Sequence, residues 1–319
     1  MKKYVFIIIL ALNLLLTGCG DGSAAEMGHS HMMLAMGTVI NLTAYGEDGK
    51  AALLDAEREL DRLDELLARG VEGSAVYVYN HTGSTEDEEL SRLIARAEEI
   101  SAATAGAFDP YLGGVLDLWG FGSGAEEYHV PTAEELSAAP RLLDLGGIAK
   151  GYAGERMFRC MVENSVGAAV FDLGGDVALW GDKPGEAWRV AIKDPASSMD
   201  YLGVLETAGD RFVMTSGVYE RYFEENGVQY HHVIDPQTRL PAESGLVSVT
   251  VVCENGVWAD ALATACCVMG AEKTLALRES LAETMPFDLI LVDLDGRVLY
   301  TCEGFTPEPG TAYIYEKLS

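Results

Sequence analysis

Apolar and polar positions follow two different periods along the chain, and together they predict a mixture of strands and helices. Residues 38–45 alternate apolar and polar side chains, a pattern that is typical of a half-buried strand. Residues 51–68 instead place leucines at helical spacing among charged residues, which predicts an amphipathic helix. Further helices are predicted over 86–104, 148–163, 258–269 and 271–283.

The second half of the chain is rich in short strand-like runs separated by Gly, Asp and Pro turns. Residues 289–293 and 298–302 flank an Asp-Gly pair and predict a closing hairpin. The glycine-rich residues 113–124 are expected to form turns. Because helices and strands do not alternate strictly, the fold class expected is α+β. The other predicted strands are 168–173, 177–181, 187–193, 202–207, 211–215 and 247–253.

The first residues have the pattern of an export signal. Lys2 and Lys3 precede an apolar run over 5–16 that is too short to span a bilayer comfortably. The Thr-Gly-Cys that ends at Cys19 resembles a bacterial lipobox, which implies a lipid on Cys19 and an extracytoplasmic protein anchored to the bacterial cell membrane. The division expected is a signal peptide over 1–19, a flexible tether over 20–33 and a folded domain over 34–319.

The charge of the chain limits its possible partners. The 319 residues carry a net charge of −28, with 50 acidic residues against 22 basic ones. Such a balance argues against a nucleic-acid partner, because binding to a phosphate backbone needs clustered cations. A small phosphate-bearing ligand would therefore need a metal ion, backbone amides or a few local cations.

Two short segments supply groups that could hold such a ligand. Asp260 and Thr264 are four residues apart on a predicted helix, so their oxygens share one face and suit a hard cation such as Mg²⁺, with Mn²⁺ also possible. The alternative is a surface Asp beside a Thr that bonds its own backbone. Gly146 and Gly147 precede another helix, whose free amides could bind a phosphate, and Lys150 would add a charge.

Seven glycine-punctuated motifs occur where loops meet predicted elements. They are Met36-Gly37-Thr38, Gly106–Pro110, Trp119-Gly120-Phe121, Asp144–Tyr152, Asp172–Asp176, Thr215–Arg221 and His232–Pro236. Taken in order, this set resembles the ApbE family of FAD:protein FMN transferases over residues 36–270. The resemblance implies a layered, T-fold-like α+β core with a smaller lobe, and FAD in the cleft between them.

The resemblance also implies a reaction. Mg²⁺ would bridge the pyrophosphate of FAD while a Ser or Thr hydroxyl of an acceptor protein attacks the FMN-side phosphorus. AMP would leave, and FMN would remain on the acceptor as a phosphoester. The acceptor expected is an exported or membrane redox protein that carries an Asp and a Thr-Gly-Ala-Thr-like segment. A Mg²⁺-dependent FAD pyrophosphatase and a non-catalytic FAD-binding lipoprotein are the alternatives.

Roles carry over from the family to individual positions of this sequence. His232 is where the family places its candidate general base, although a His that only bonds backbone near the Asp235-Pro236 turn is the alternative. His231 is taken as a bystander. The positions that resemble FAD contacts are Met36, Ala107, Phe108, Asp109, Asp144, Lys150 and Ile234, and those that resemble metal ligands are Gly147, through its backbone oxygen, Asp260 and Thr264.

The sequence departs from the family pattern at three places. Ala263 stands where some members carry a second Asp, so one metal position is expected to be filled by water. Arg239 replaces a usual glycine. The segment Ala68-Arg69-Gly70 lacks the aromatic residue that covers the flavin in some members, and the nearest tyrosines, Tyr77 and Tyr79, are displaced along the chain.

Overall fold

The structure is a computed structural model that describes residues 28–122, 127–197 and 199–318. The predicted signal peptide and Cys19 lie outside these residues. Within the described ranges, none of the helices combines the length and the apolar character that a membrane crossing requires.

Helices and strands alternate irregularly along the described chain. The helices are α1 (Gly49–Leu67), α2 (Ala75–Thr82), α3 (Glu88–Ala103), α4 (Gly113–Trp119), α5 (Ala133–Ala138), α6 (Ala149–Glu163), α7 (Gly256–Met269) and α8 (Ala271–Leu281). The strands are β1 (Gly28–Ala35), β2 (Thr38–Tyr45), β3 (Ala168–Asp172), β4 (Val177–Gly181), β5 (Trp188–Lys193), β6 (Tyr201–Thr207), β7 (Arg211–Gly217), β8 (Tyr222–Glu225), β9 (Val228–His231), β10 (Leu246–Cys253), β11 (Asp288–Asp293), β12 (Arg297–Tyr300), β13 (Phe305–Pro307) and β14 (Ile314–Lys317).

A nine-stranded sheet organises the fold, with its strands in the order β1-β2-β3-β4-β7-β10-β11-β12-β14. Its neighbouring strands are antiparallel, except that β12 and β14 run parallel. A three-stranded sheet, β13-β6-β5, and the two-stranded β8-β9 ribbon complete the strands. The predicted α+β class is confirmed, since a mainly antiparallel sheet does not need helices between its strands.

Two hydrophobic layers cover the two faces of the large sheet. On one face, α1, α6 and α7 pack over buried residues that include Leu60, Phe171 and Phe212. On the other face, a second core that includes Trp188 and Ile290 lies against the three-stranded sheet. The layered core predicted for the ApbE-like fold is therefore present.

A smaller lobe has its own aromatic core. Trp119, Phe121, Tyr128, Phe223 and Tyr230 form a chain of ring contacts with centroids between 5.0 and 6.4 Å apart. These rings join α4 to the β8-β9 ribbon, and α5 lies against α4. The smaller lobe expected from the sequence is thus built from segments that are far apart along the chain.

The prediction of turns over 113–124 is wrong for its first part, which forms α4. Gly113 and Gly114 are the first residues of this helix, and both lie against the backbone of another segment. A Cβ at Gly113 would lie 2.8 Å from the Leu142 oxygen, and a Cβ at Gly114 would lie 2.2 Å from the Pro140 oxygen. These two glycines therefore allow the helix to pack closely and do not indicate a turn.

The predicted tether over 20–33 is wrong for residues 28–33, which belong to β1. This strand pairs with β2 along its whole length, and its exposure alternates from residue to residue. Its outward positions include Met32 and Leu34, so the sequence does not show a polar and apolar alternation there. The hairpin turns at Met36 and Gly37, whose positive φ angles of 50° and 73° match a type I′ turn.

The helices α6 and α7 cross with their backbones in contact. A Cβ on Gly151 would lie 2.0 Å from the Gly256 oxygen, and a Cβ on Gly256 would lie 2.3 Å from the Gly151 oxygen. Neither distance is compatible with any side chain larger than hydrogen. This pair of glycines therefore sets the separation of the two helices.

We predict that Gly151→Ala is destabilising, because the added methyl group would force α6 and α7 apart. The expected loss is about 3 kcal/mol in the free energy of unfolding, at the upper end of overpacking effects, measured by urea denaturation. Gly167→Ala is the control, since that glycine is exposed and no atom lies within 4 Å of its Cβ position. Equal stability of the two variants would contradict the tight crossing.

Candidate functional site

Asp260 lies at the crossing of α6 and α7. The helix α7 begins after Asn255, whose side chain accepts the Trp258 N–H at 3.1 Å, and this places Asp260 in its second turn. Asp260 Oδ2 accepts the Gly151 N–H at 2.9 Å, an amide in the first turn of α6 that has no partner within its own helix. Asp260 is only 6% exposed. The alternative of a surface Asp is therefore wrong.

Thr264, one turn after Asp260 on α7, lies beside Gly147. Thr264 Oγ1 is 3.1 Å from Ser216 Oγ, so its hydroxyl faces another segment and not its own backbone alone. A Cβ on Gly147 would lie 3.7 Å from Thr264 Oγ1 and 3.1 Å from the Phe108 ring. The structure thus brings the glycine turn against the helix that carries both predicted side-chain ligands.

The oxygens at this position fit a hard cation. One carboxylate, one hydroxyl and one peptide carbonyl are the donors that Mg²⁺ accepts, usually together with ligand phosphates and water. In the part of the chain that the structure describes, no group of three or more His, Cys, Asp or Glu residues could form a dedicated metal cage. A cation held here would therefore depend on its phosphate ligand as well as on the protein.

Lys150 is held by a buried carboxylate. Its ammonium pairs with Asp176, which is 2% exposed and also accepts the Thr215 N–H at 2.7 Å. Burial by itself would lower the pKa of Lys150, but Asp176 and then Asp260 raise it above its usual range. Burial also raises the pKa of the Asp260 carboxyl, an effect that Lys150 opposes. One lysine thus lies between two carboxylates.

His232 follows directly after β9 and is bonded to the backbone. Its backbone N–H donates to the backbone oxygen of Arg221 at 3.0 Å, and the ring Nδ1 lies 3.3 Å from the same oxygen. Burial lowers the pKa of His232 to about 4, and the positive charges of Arg221 and Lys150 act in the same direction. The ring is therefore neutral at pH 7, and an Nδ1–H donated to the carbonyl leaves Nε2 free to accept a proton.

Asp144 shapes the glycine turn that precedes α6. Its Oδ1 accepts the Gly146 N–H at 2.9 Å, and its Oδ2 accepts the Arg69 Nε–H at 2.9 Å. Arg69 also donates to both oxygens of Asp117 on α4, at 2.8 and 2.6 Å. Both oxygens of the predicted FAD contact Asp144 are thus engaged within the protein.

The remaining predicted FAD contacts lie on three separate segments. Met36 is at the tip of the β1-β2 hairpin, and Ala107 and Phe108 follow α3, with the buried Phe108 ring against Gly147. Asp109 Oδ1 accepts the Tyr111 N–H at 2.9 Å. Ile234 is buried in the smaller lobe. The structure places these residues, but their contact with FAD stays a prediction.

Three positioning groups were not identified from the sequence. Asp176 and Ser216 belong to motifs whose members were not assigned a role from the sequence, whereas Arg69 was noted only as part of a segment that lacks the aromatic residue of some family members. Each of them is hydrogen-bonded to a site residue more than 25 positions away in the chain. The signal available for Asp176 and Ser216 was their position beside glycines at the end of a strand.

Arg239 shows why glycine is usual at its position. Its φ angle is +61°, a left-handed conformation that costs a non-glycine residue on the order of 1 kcal/mol. The Arg239 oxygen accepts the Trp119 Nε1–H at 2.9 Å, and its guanidinium donates to the Leu136 oxygen. These bonds fasten the segment after His232 to the smaller lobe and offset the strain.

An α+β core with oxygen donors beside a glycine turn and a neutral histidine is suited to phosphoryl transfer. The ApbE family profile matches residues 36–287, and the chain belongs to the ApbE family. The motif order that carried the resemblance is therefore confirmed.

Relatives with this architecture are flavin transferases. A Treponema pallidum protein named FAD:protein FMN transferase is 32% identical, with 88% of this chain and 90% of the relative covered. A protein of the same name from Vibrio cholerae is 31% identical, with 95% and 98% covered. The crystal structure of the ApbE protein from Thermotoga maritima aligns with a TM-score of 0.77 and 30% identity, covering 85% of this chain and 96% of that one.

We predict that His232 makes the folded protein sensitive to acid. In the unfolded chain a histidine gains a proton as the pH falls through about 6.5, whereas His232 stays neutral to about 4 in the folded state. Below pH 6.5 the unfolded state therefore binds more protons, and stability falls with the pH. By pH 5, the free energy of unfolding of wild type should have fallen by up to about 2 kcal/mol more than that of His232→Asn, as measured by urea unfolding. Parallel pH profiles would contradict the neutral, half-buried ring.

Proposed function

We propose that this protein is a Mg²⁺-dependent FAD:protein FMN transferase. The observation that supports the proposal is that Asp260 bonds the first turn of α6, while Thr264, one turn further along α7, lies beside the Gly147 turn that precedes α6. Membership of a family whose relatives bear that name supports the same reaction. The oxygens of these three residues would hold Mg²⁺, which when bound neutralises charge on the pyrophosphate.

The residues of the chain provide positioning and a proton acceptor. The amides of the Gly146-Gly147 turn and the first turn of α6 would bind phosphate oxygens. Asp176 keeps Lys150 beside Asp260, so the lysine balances the carboxylates around the pyrophosphate. His232 Nε2 would take the proton of the acceptor hydroxyl.

The proposed reaction needs no reactant besides FAD and the acceptor protein. The hydroxyl oxygen of the acceptor forms a bond to the FMN-side phosphorus, and the bond from that phosphorus to the oxygen of AMP breaks. The hydroxyl proton moves to His232, and AMP leaves with the electron pair of the broken bond. Catalysis of this type depends on alignment and on charge neutralisation more than on covalent help from the protein.

The acceptor and the location are part of the proposal. The lipobox-like sequence before Cys19 supports a lipid-anchored protein outside the cytoplasm of a bacterium. Such a transferase would act on an exported or membrane redox protein, through a segment with an Asp and a Thr-Gly-Ala-Thr-like sequence. The net charge of −28 does not conflict with a phosphate-bearing ligand, because only the residues at the site would have to bind the phosphates.

The decisive experiment is chromatographic. The protein from Gly20 onward is incubated with FAD and Mg²⁺, with and without a domain that carries the acceptor segment, and FAD, FMN and AMP are separated. AMP together with FMN fixed to the acceptor is the result expected. AMP with free FMN, regardless of acceptor, would show a pyrophosphatase, and intact FAD that remains with the protein would show a binding protein.

We predict that Asp260→Asn loses Mg²⁺-dependent turnover without losing the fold. The amide keeps the size of the side chain and its oxygen can still accept the Gly151 N–H, while the charge that a metal ion needs is removed. In a thermal melt with FAD present, Mg²⁺ should raise the Tm of wild type but not that of the variant. A variant that unfolds without Mg²⁺ at far lower temperature than wild type would show a mainly structural role for Asp260.

A further inference from the structure

Arg69 joins the smaller lobe to the glycine turn of the site. It lies just after α1, and only 8% of its side chain is exposed. Its guanidinium forms a two-bond pair with Asp117 on α4 and a further bond with Asp144, which caps the Gly146 N–H. One side chain thus connects α4 to the turn that precedes α6.

The surroundings of Arg69 leave it little freedom. The Gly122 backbone packs on the pair with Asp117, since a Cβ at Gly122 would lie 1.9 Å from Asp117 Oδ1 and 2.6 Å from Arg69 Nη2. On the other side, Asn80 exchanges two hydrogen bonds with the Leu143 backbone, at 2.7 and 2.9 Å. The turn is therefore held at Leu143 as well as at Asp144, and Arg69 is the cation that pairs with Asp144 there.

The electrostatic consequence concerns the ligand. Asp117 and Asp144 place two negative charges close to the turn that we propose receives a pyrophosphate, in a chain with a net charge of −28. Burial by itself would lower the pKa of Arg69, but its bonds to Asp117 and Asp144 keep it raised. Without this cation, both carboxylates would repel the phosphates, and Asp144 would be free to leave the Gly146 amide.

We propose that Arg69 is a positioning residue for the pyrophosphate of FAD: it neutralises Asp117 and Asp144 and so keeps the Gly146-Gly147 turn in the shape that binds phosphate. The inference rests on the proposed function, because it takes FAD as the ligand of the cleft. Arg69 acts through Asp144 and need not touch FAD itself.

The test compares FAD affinity in Arg69→Met and wild type, measured by quenching of flavin fluorescence in EDTA and again with Mg²⁺. We expect the Kd of the variant to rise about tenfold or more at low salt, the size typical of removing a group that orients a ligand contact. Added NaCl should reduce the difference in Kd between the variant and wild type, because salt screens the repulsion from Asp117 and Asp144, which are both in partial contact with solvent. Adding Asp117→Asn to Arg69→Met should also recover part of the affinity.

Arg62→Met is the matched control. Arg62 likewise bridges two carboxylates, Glu59 and Glu89, but on the outer helices α1 and α3. Its removal should lower stability and leave the Kd for FAD unchanged. If Arg69→Met does not fold, Arg69→Lys replaces it; the lysine keeps the charge but loses the two-bond fork, so a smaller rise in Kd is expected.

Two failures can be told apart. A wild-type protein that neither binds FAD nor releases AMP would overturn the proposed function, and the Arg69 inference with it. A wild type that binds FAD, together with an Arg69→Met variant of equal affinity, would overturn the inference alone. The inference also fails if the affinity lost in Arg69→Met responds neither to NaCl nor to Asp117→Asn, since a purely structural contact predicts that result.

Discussion

The contact between α6 and α7 at Gly151 and Gly256 determines the arrangement of the site. With no side chain between the two helices, the Gly151 amide reaches the Asp260 carboxylate directly. That bond gives a partner to an amide that has no hydrogen-bond acceptor within its own helix. It also fixes the side chain of Asp260, a predicted metal ligand. The glycine turn, Lys150 and Thr264 are arranged around this crossing because they lie within one or two turns of it.

The buried charges around this crossing do not balance one another. Two carboxylates, Asp176 and Asp260, share one lysine in a buried region, and burial disfavours each uncompensated charge. A divalent cation with a phosphate ligand would complete the balance. Under the proposed function, stability and binding would therefore be coupled, since part of the cost of burying charge would be recovered only when the site is filled.

The sequence predicted most of the regular elements but only part of the site. Periodicity was sufficient for α1, α3, α6 and most strands of the large sheet, because each buries at least one face, but β14 was not predicted. It failed at α4, where glycines serve close packing, and at β1, whose outer residues are apolar. Asp260 and Thr264 were found from helical spacing, a local property. Asp176, Ser216 and Arg69 were not assigned roles, because their partners lie in other segments and only the fold brings them together.

The smaller lobe explains how a histidine on a connecting segment can be placed accurately. His232 follows a two-stranded ribbon, and such a ribbon has little stability of its own. Here Phe223 and Tyr230 fix the ribbon to the Trp119 ring of α4, while Arg239 accepts a strained backbone so that its oxygen can bond Trp119. The aromatic core therefore provides the rigidity that the strands lack, and Arg69 ties this lobe to the glycine turn. The position of His232 relative to the glycine turn thus depends on packing and ion pairs in the lobe, and not on the short ribbon that precedes it.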